Sequence, residues 1–86
     1  MHEASLMRDL MRKVMAVAAG QNASRVTGIR VRLGALSHMT PGHFQEHFDE
    51  AARGTVAEGA RIETLEDNDI RSPAAADVVL ESIEVE

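Results

Sequence analysis

The chain has 86 residues, a length that argues for one domain with a thin core. Hydrophobic residues make up 44% of it and charged residues 27%, which is typical of a folded globule and not of a disordered tail. The net charge of −5 and the lack of a basic patch exclude nucleic acid as the expected partner, and no apolar run is long enough to span a bilayer. Cysteine is absent and no signal-peptide pattern is present, so we expect a cytoplasmic protein without disulfides or thiolate metal sites.

The first predicted element is a helix that ends near Gly20. Its apolar residues recur at helical spacing in two adjacent rows, one of Leu6, Leu10, Val14 and Val17 and one of Met7, Met11, Met15 and Ala18. A strand is predicted over residues 25–33, because apolar residues alternate there with Arg30 and Arg32. This alternation indicates a sheet with one buried face and one charged face.

A second helix is predicted to begin near Thr40 and to end before Gly54. Thr40 is a favourable N-cap, and Pro41 suits the first helical position. The apolar stripe of this helix consists of Phe44, Phe48 and Ala51 or Ala52.

Two further strands are predicted, at roughly residues 60–65 and 77–85. In the last strand the apolar positions change parity after Leu80, which predicts a β-bulge near Glu81 or Ser82. The order helix–strand–helix–strand–strand indicates an α+β fold with two helices packed on one face of a three-stranded sheet. The predicted core contains Leu6, Leu10, Val14, Ile29, Val31, Leu33, Phe44, Phe48 and Ile62.

The first candidate site is the N-terminal sequence "MHE". A free α-amine, a deprotonated backbone amide and the imidazole of His2 can chelate one metal ion through nitrogen atoms in a plane. Square-planar nitrogen coordination suits Ni(II) and Cu(II), whereas zinc prefers a tetrahedron. The alternative is a terminus that carries His2 without binding metal.

The second candidate is "HFQEH", which has the H-x-x-E-H spacing of the inverted zinc-protease motif. On a helix, His43 and His47 would share a face, as two metal ligands should. A zinc hydrolase that uses this pair is an alternative function, but a protease also needs a third ligand and a substrate cleft, for which the chain is short. His38 lies in the loop before the second helix and is expected to be a solvated histidine.

Four stretches resemble the HypA/HybF family of hydrogenase nickel-incorporation proteins: "MHEASL" at the start, "RVTGIRVRLGALS" from Arg25, "RGTVAEGARIE" from Arg53 and "LESIEVE" at the end. The resemblance implies a nickel metallochaperone, not an enzyme, that works with a HypB-like GTPase and the large subunit of a nickel–iron hydrogenase. It also implies that the N-terminal segment holds the nickel, here through the Met1 amine, the His2 ring and amide, and the Glu3 amide.

Two differences separate the chain from that family. The resemblance implies a structural zinc site of two C-x-x-C pairs between the second and last strands, but residues 65–77 here form a short loop without cysteine. We therefore expect one nickel-binding domain over residues 1–86 and no structural zinc. Thr40 also stands where many relatives have an acidic residue. A metal-independent interaction or dimerisation module is the alternative function, and a homodimer could form through an open edge of the sheet.

Overall fold

The computed structural model describes residues 3–86, apart from the side chain of Glu3. Its elements, in chain order, are α1 Glu3–Gly20, β1 Val26–Leu33, α2 Pro41–Ala52, β2 Arg61–Glu66 and β3 Val78–Val85. This order confirms the predicted α+β fold, and each boundary lies within one or two residues of its expected place.

The three strands form one sheet in the order β2-β1-β3. Strand β1 pairs in parallel with β2, from Gly28 opposite Arg61 to Leu33 opposite Glu66, and α2 makes the crossover between them. Strand β1 pairs in the antiparallel sense with β3. Both helices pack on one face of this sheet, as predicted.

The predicted β-bulge is present at Glu81. Arg30 lies opposite Ser82, and the next residue of β1, Val31, lies opposite Leu80, so Glu81 has no partner residue on β1. The extra residue lets Leu80 and Ile83, which differ in parity along the strand, both pack against the core.

The core lies between the sheet and the two helices. Its largest fully buried side chains are Phe44, Phe48, Leu33, Val14, Val26 and Val31. Two of the predicted core residues, Leu6 and Ile62, are only partly buried at the margin of the core. Val17, which belongs to one of the two apolar rows of α1, is 41% exposed. The buried face of α1 is rotated toward the neighbouring row that contains Met7, Met11 and Ala18, because that row faces the sheet and α2.

Helix α2 begins with the predicted cap. Thr40 has an extended backbone (φ −90°, ψ 159°), and its hydroxyl oxygen accepts a hydrogen bond from the backbone N–H of His43 at 3.2 Å. Pro41 occupies the first turn, where its missing N–H costs no hydrogen bond. At the other end of the helix, Ala52 is buried and Ala51 is exposed.

The segment that connects β2 to β3 covers residues 67–77. It begins two residues later than the expected loop at 65–77, because the parallel pairing with β1 continues through Glu66. The N–H of Asp67, its first residue, donates to the carbonyl of Leu33 at the end of β1 (2.9 Å). The carbonyl of Asp77, its last residue, accepts from the N–H of Gly34, which directly follows β1 (2.9 Å). The segment therefore crosses the end of β1 and is attached to it on both sides.

The sheet face opposite the helices carries ion pairs. Arg30 pairs with Glu63 (3.0 Å), and Arg32 with Glu81 (2.9 Å). The hydrogen bond to Glu81, together with the charges of Glu81 and Asp67, raises the pKa of Arg32. The side chains of Arg30 and Glu63 are about half exposed or more, and those of Arg32 and Glu81 are partly exposed. This face is the charged one that the alternation in β1 predicted.

Candidate metal site at the start of the first helix

The N-terminal ligands predicted from the sequence fall at the edge of what the structure describes. Met1 and His2 lie outside the described residues, and of Glu3 only the backbone is described. Helix α1 begins at Glu3, whereas a start just after Glu3 was expected. The first backbone N–H groups of an α-helix have no intrahelical acceptor, so the Glu3 amide can bind a metal ion without breaking a hydrogen bond of the helix.

A groove of about 570 Å³ runs between the first turns of α1 and the second half of α2. Helix α1 contributes Ala4, Met7, Arg8 and Met11, and α2 contributes His47, Glu50 and Ala51. The groove brings an imidazole and a carboxylate beside the start of α1. Sequence reasoning missed this relation, because only the packing of the two helices creates it.

His43 and His47 lie together on α2, as their spacing predicted. Their ring centroids are 5.0 Å apart, with the ring planes inclined at 52°. Phe44 and Phe48, next to them in sequence, point into the core and stack with centroids 6.1 Å apart. The helix therefore presents its phenylalanines to the core and its histidines outward, with His43 exposed and His47 half-buried.

No cluster of three or more His, Cys, Asp or Glu side chains able to hold a metal ion occurs in the described part of the chain. A complete protein-only cage, as a structural zinc site requires, is missing from residues 4–86.

The other two positions singled out in the sequence, His38 and Thr40, lie away from the start of α1. His38 is exposed, has a positive φ of 59°, and lines a separate hollow with Glu66 and Asp67 at the ends of β1 and β2. The Thr40 hydroxyl is engaged in capping α2. Neither side chain lines the groove beside α1.

Comparison with known proteins identifies the relatives of this chain. Residues 1–72 match the family model described as "Hydrogenase/urease nickel incorporation, metallochaperone, hypA". The chain belongs to the HypA family. The match includes the "MHE" sequence and ends inside the segment that connects β2 to β3.

Two curated HypA proteins show how far the similarity extends. The hydrogenase maturation factor HypA of Archaeoglobus fulgidus is 42% identical over 72 residues, which are 83% of this chain and 66% of that protein. The hydrogenase maturation factor HypA of Methylocella silvestris is 46% identical over 63 residues, which are 73% of this chain and 56% of that protein. The matched region thus spans less than two thirds of each relative's length.

A solved structure shares the HypA fold of this chain. The solution structure of the Ni metallochaperone HypA from Helicobacter pylori superposes with a TM-score of 0.78, covering 99% of this chain and 97% of that one at 16% identity. Separately, none of the helices within residues 3–86 is long and apolar enough to cross a membrane.

Proposed function

We propose that this HypA-family chain is a nickel carrier that binds one Ni(II) at its N-terminus and supplies it for the maturation of a nickel–iron hydrogenase. The ligands are the α-amine of Met1, the ring and amide of His2, and the amide of Glu3. The observation that carries the proposal is the family match, which begins at residue 1 and includes these three residues.

The chemistry of the segment supports this assignment. An amine, two amides and an imidazole are four nitrogen donors, and the chain order places them in consecutive chelate rings around one ion. Four nitrogens in a plane favour Ni(II) or Cu(II) over zinc. The helix that starts at Glu3 provides a fixed base for the segment, since α1 packs on α2 and on the sheet.

Delivery requires partners, and we propose those that the family resemblance implies. They are a HypB-like GTPase and the large subunit of a nickel–iron hydrogenase, in the cytoplasm. The chain itself acts by binding and release and catalyses no reaction, so the ion is its cargo.

The test is a calorimetric titration of Ni(II) into protein that begins at Met1 without a tag. We expect one equivalent to bind with the yellow absorption of square-planar Ni(II). Substitution His2→Ala removes the imidazole, and one residue added before Met1 displaces the amine while keeping His2. Both changes should abolish this absorption and leave the circular dichroism of the domain unchanged.

An extended protein that binds nickel with the same spectrum and affinity would overturn the N-terminal assignment. A chain that binds no nickel but forms a stable complex with a maturation partner would instead favour the metal-independent interaction module.

A further inference from the structure

Strand β3 lies at one edge of the sheet and leaves backbone groups open to a further strand. Within residues 3–86 the sheet has three strands in the order β2-β1-β3, so no described strand lies beyond β3. The carbonyl of Asp77 accepts a hydrogen bond from the N–H of Gly34, so the backbone of Asp77 faces β1. Backbone groups alternate in direction along an antiparallel strand, so those of Val78 and Leu80 point outward, where an added strand can pair with them.

The two halves of β3 differ in how well they can accept a strand. The β-bulge at Glu81 and the carboxylates of Glu81 and Glu84 disfavour pairing along the second half, because bulges and charged side chains protect strand edges. The first half, residues 78–80, carries no charge. Val78 and Leu80 pack against the core, so Val79 between them points to the opposite face of the sheet. An added strand is therefore expected beside residues 78–80.

A groove of about 560 Å³ lies between this half of β3 and α1. Its basic lining residues are Arg8, Arg12 and Lys13, all exposed on α1, and its acidic ones are Asp9 and Asp77. Arg12 pairs with Asp9. Among the described side chains, Arg8 and Lys13 make no ion pair, so the groove keeps unneutralised positive charge although the whole chain has a net charge of −5.

The opposite edge of the sheet, β2, lies beside a helix of the other charge. Helix α2 contacts β2 and carries Glu46, Asp49 and Glu50, with neither lysine nor arginine. An acidic strand is therefore repelled at β2 and attracted beside α1. A second copy of this chain fits β3 less well. Antiparallel pairing of two β3 strands would bring two α1 helices, each with the same basic residues, to one face of a continuous sheet.

We propose that the first half of β3 accepts an acidic, extended segment of a partner protein as a fourth strand. Main-chain hydrogen bonds to Val78 and Leu80 hold the segment, and its carboxylates on the side of α1 contact the basic residues of the groove. Side chains of a strand alternate between the two faces, so its other residues lie beside Val79 and are apolar. The partner is thus recognised by an alternation of acidic and apolar residues, without a metal ion.

The test uses the metal-free full chain and a capped peptide of about six residues that alternates glutamate with valine. Binding is followed by NMR of the backbone amides. We expect the largest shifts, and slowed hydrogen exchange, at the outward amides of Val78 and Leu80. The same peptide with lysine in place of glutamate should bind at least about tenfold more weakly, and added sodium chloride should weaken binding of the acidic peptide, because salt screens exposed charges.

Substitution Lys13→Glu reverses one charge of the groove and should weaken binding of the acidic peptide by about threefold or more. Arg25→Glu is the matched control. It makes the same change of charge at an exposed position directly before β1, at the opposite end of the sheet from the groove. Equal weakening by both variants would show that net charge alone attracts the peptide, and would overturn the proposal.

Two further results would also overturn it. An analogue whose interior amides are N-methylated cannot donate hydrogen bonds, so equally tight binding of this analogue would exclude strand addition. A dimer in which the amides of Val78 and Leu80 are already protected without peptide would assign the edge to a second copy of the chain. Because the experiment contains no metal and leaves the N-terminal ligands unchanged, its failure and a failure of the nickel assignment are separate results.

Discussion

We expect Gly34→Ala to destabilise the fold strongly. Gly34 is buried directly after β1, where the segment of residues 67–77 crosses the strand end. A Cβ atom at this position would lie 2.2 Å from the carbonyl oxygen of Ala75 and 2.6 Å from that of Ala74. Both are backbone atoms, so the crossing segment itself must move by about an ångström to restore ordinary van der Waals contact.

The expected loss in the free energy of unfolding follows from the packing and the hydrogen bonds that this movement disrupts. Insertion of a methyl group into a packed site costs about 1–3 kcal/mol. The shift also strains the hydrogen bonds from Gly34 N–H to Asp77 (2.9 Å) and from Leu36 N–H to Ala75 (2.7 Å), each contributing about 0.5–1.5 kcal/mol. We expect a loss of about 3 kcal/mol, against a total free energy of unfolding of roughly 4–13 kcal/mol for a chain of this size.

Gly28→Ala is the matched control on the same strand. Gly28 is also buried, but a Cβ there would meet the carboxylate oxygen of Glu84 at 2.8 Å, the far end of a flexible side chain. Glu84 can rotate away, giving up only an exposed pair with Arg61, which is worth about 0–1 kcal/mol. We therefore expect little change in stability.

Urea unfolding followed by circular dichroism measures both effects. With a slope of about 1–2 kcal/mol per molar urea, the midpoint of Gly34→Ala should fall by roughly 1.5–3 M. A midpoint for Gly34→Ala equal to that of the unsubstituted protein, or a larger loss in Gly28→Ala, would refute the reasoning.

Four further outcomes are expected. Thr40→Ala should lower the free energy of unfolding by about 0.5–2 kcal/mol in urea titrations, because the cap of α2 is lost; Thr40→Ser, which keeps the hydroxyl, should retain most of the stability. Nickel affinity measured by calorimetry should fall as pH drops from about 8 to about 6, since the α-amine and His2 must lose protons before binding and have ordinary pKa values near 7.7–8.0 and 6.5; a flat profile would contradict amine and imidazole ligation. Elemental analysis after dialysis should show no stoichiometric zinc, because a structural site needs about four ligands; one retained zinc per chain would refute this. Light scattering across concentrations should detect a dimer if an open sheet edge pairs with a second copy, and a constant monomer mass would exclude it.

Local signals in the sequence were sufficient to predict most of the fold. The bulge at Glu81 was predictable because apolar side chains on both sides of it must reach one core despite their different parity. The cap at Thr40 was predictable because hydroxyl and proline chemistry act within one turn. The order of the strands was not, since alternation within a single strand does not specify its neighbours.

The face of α1 that is buried depended on tertiary packing. Both flanks of its apolar stripe are hydrophobic, so Leu6 and Val17 were as plausible in the core as Met7 and Ala18. Only the position of α2 and the width of the sheet decide between them. Met39, which is buried in the connection before α2, was missed because an isolated apolar residue in a loop has no periodicity.

The candidate site also has one part that the sequence predicts and one part that depends on tertiary packing. The donor atoms of the N-terminal segment are evident from the residue types alone, because the chelate is formed by consecutive residues. The position of His47 and Glu50 beside α1 is a contact between distant parts of the chain, which no local pattern encodes.

Residues 67–77 are attached at both ends to the end of β1, so another segment can replace them between the same attachment points. Its first and last residues are hydrogen-bonded to Leu33, the last residue of β1, and to Gly34, which follows it. The chain therefore leaves β2 and returns to β3 at the same end of the sheet, about two strand spacings (~10 Å) apart. Doubling the length of a loop between fixed ends costs only about 0.6 kcal/mol. A folded module whose termini lie about this far apart can therefore be inserted here while the sheet and both helices keep their arrangement.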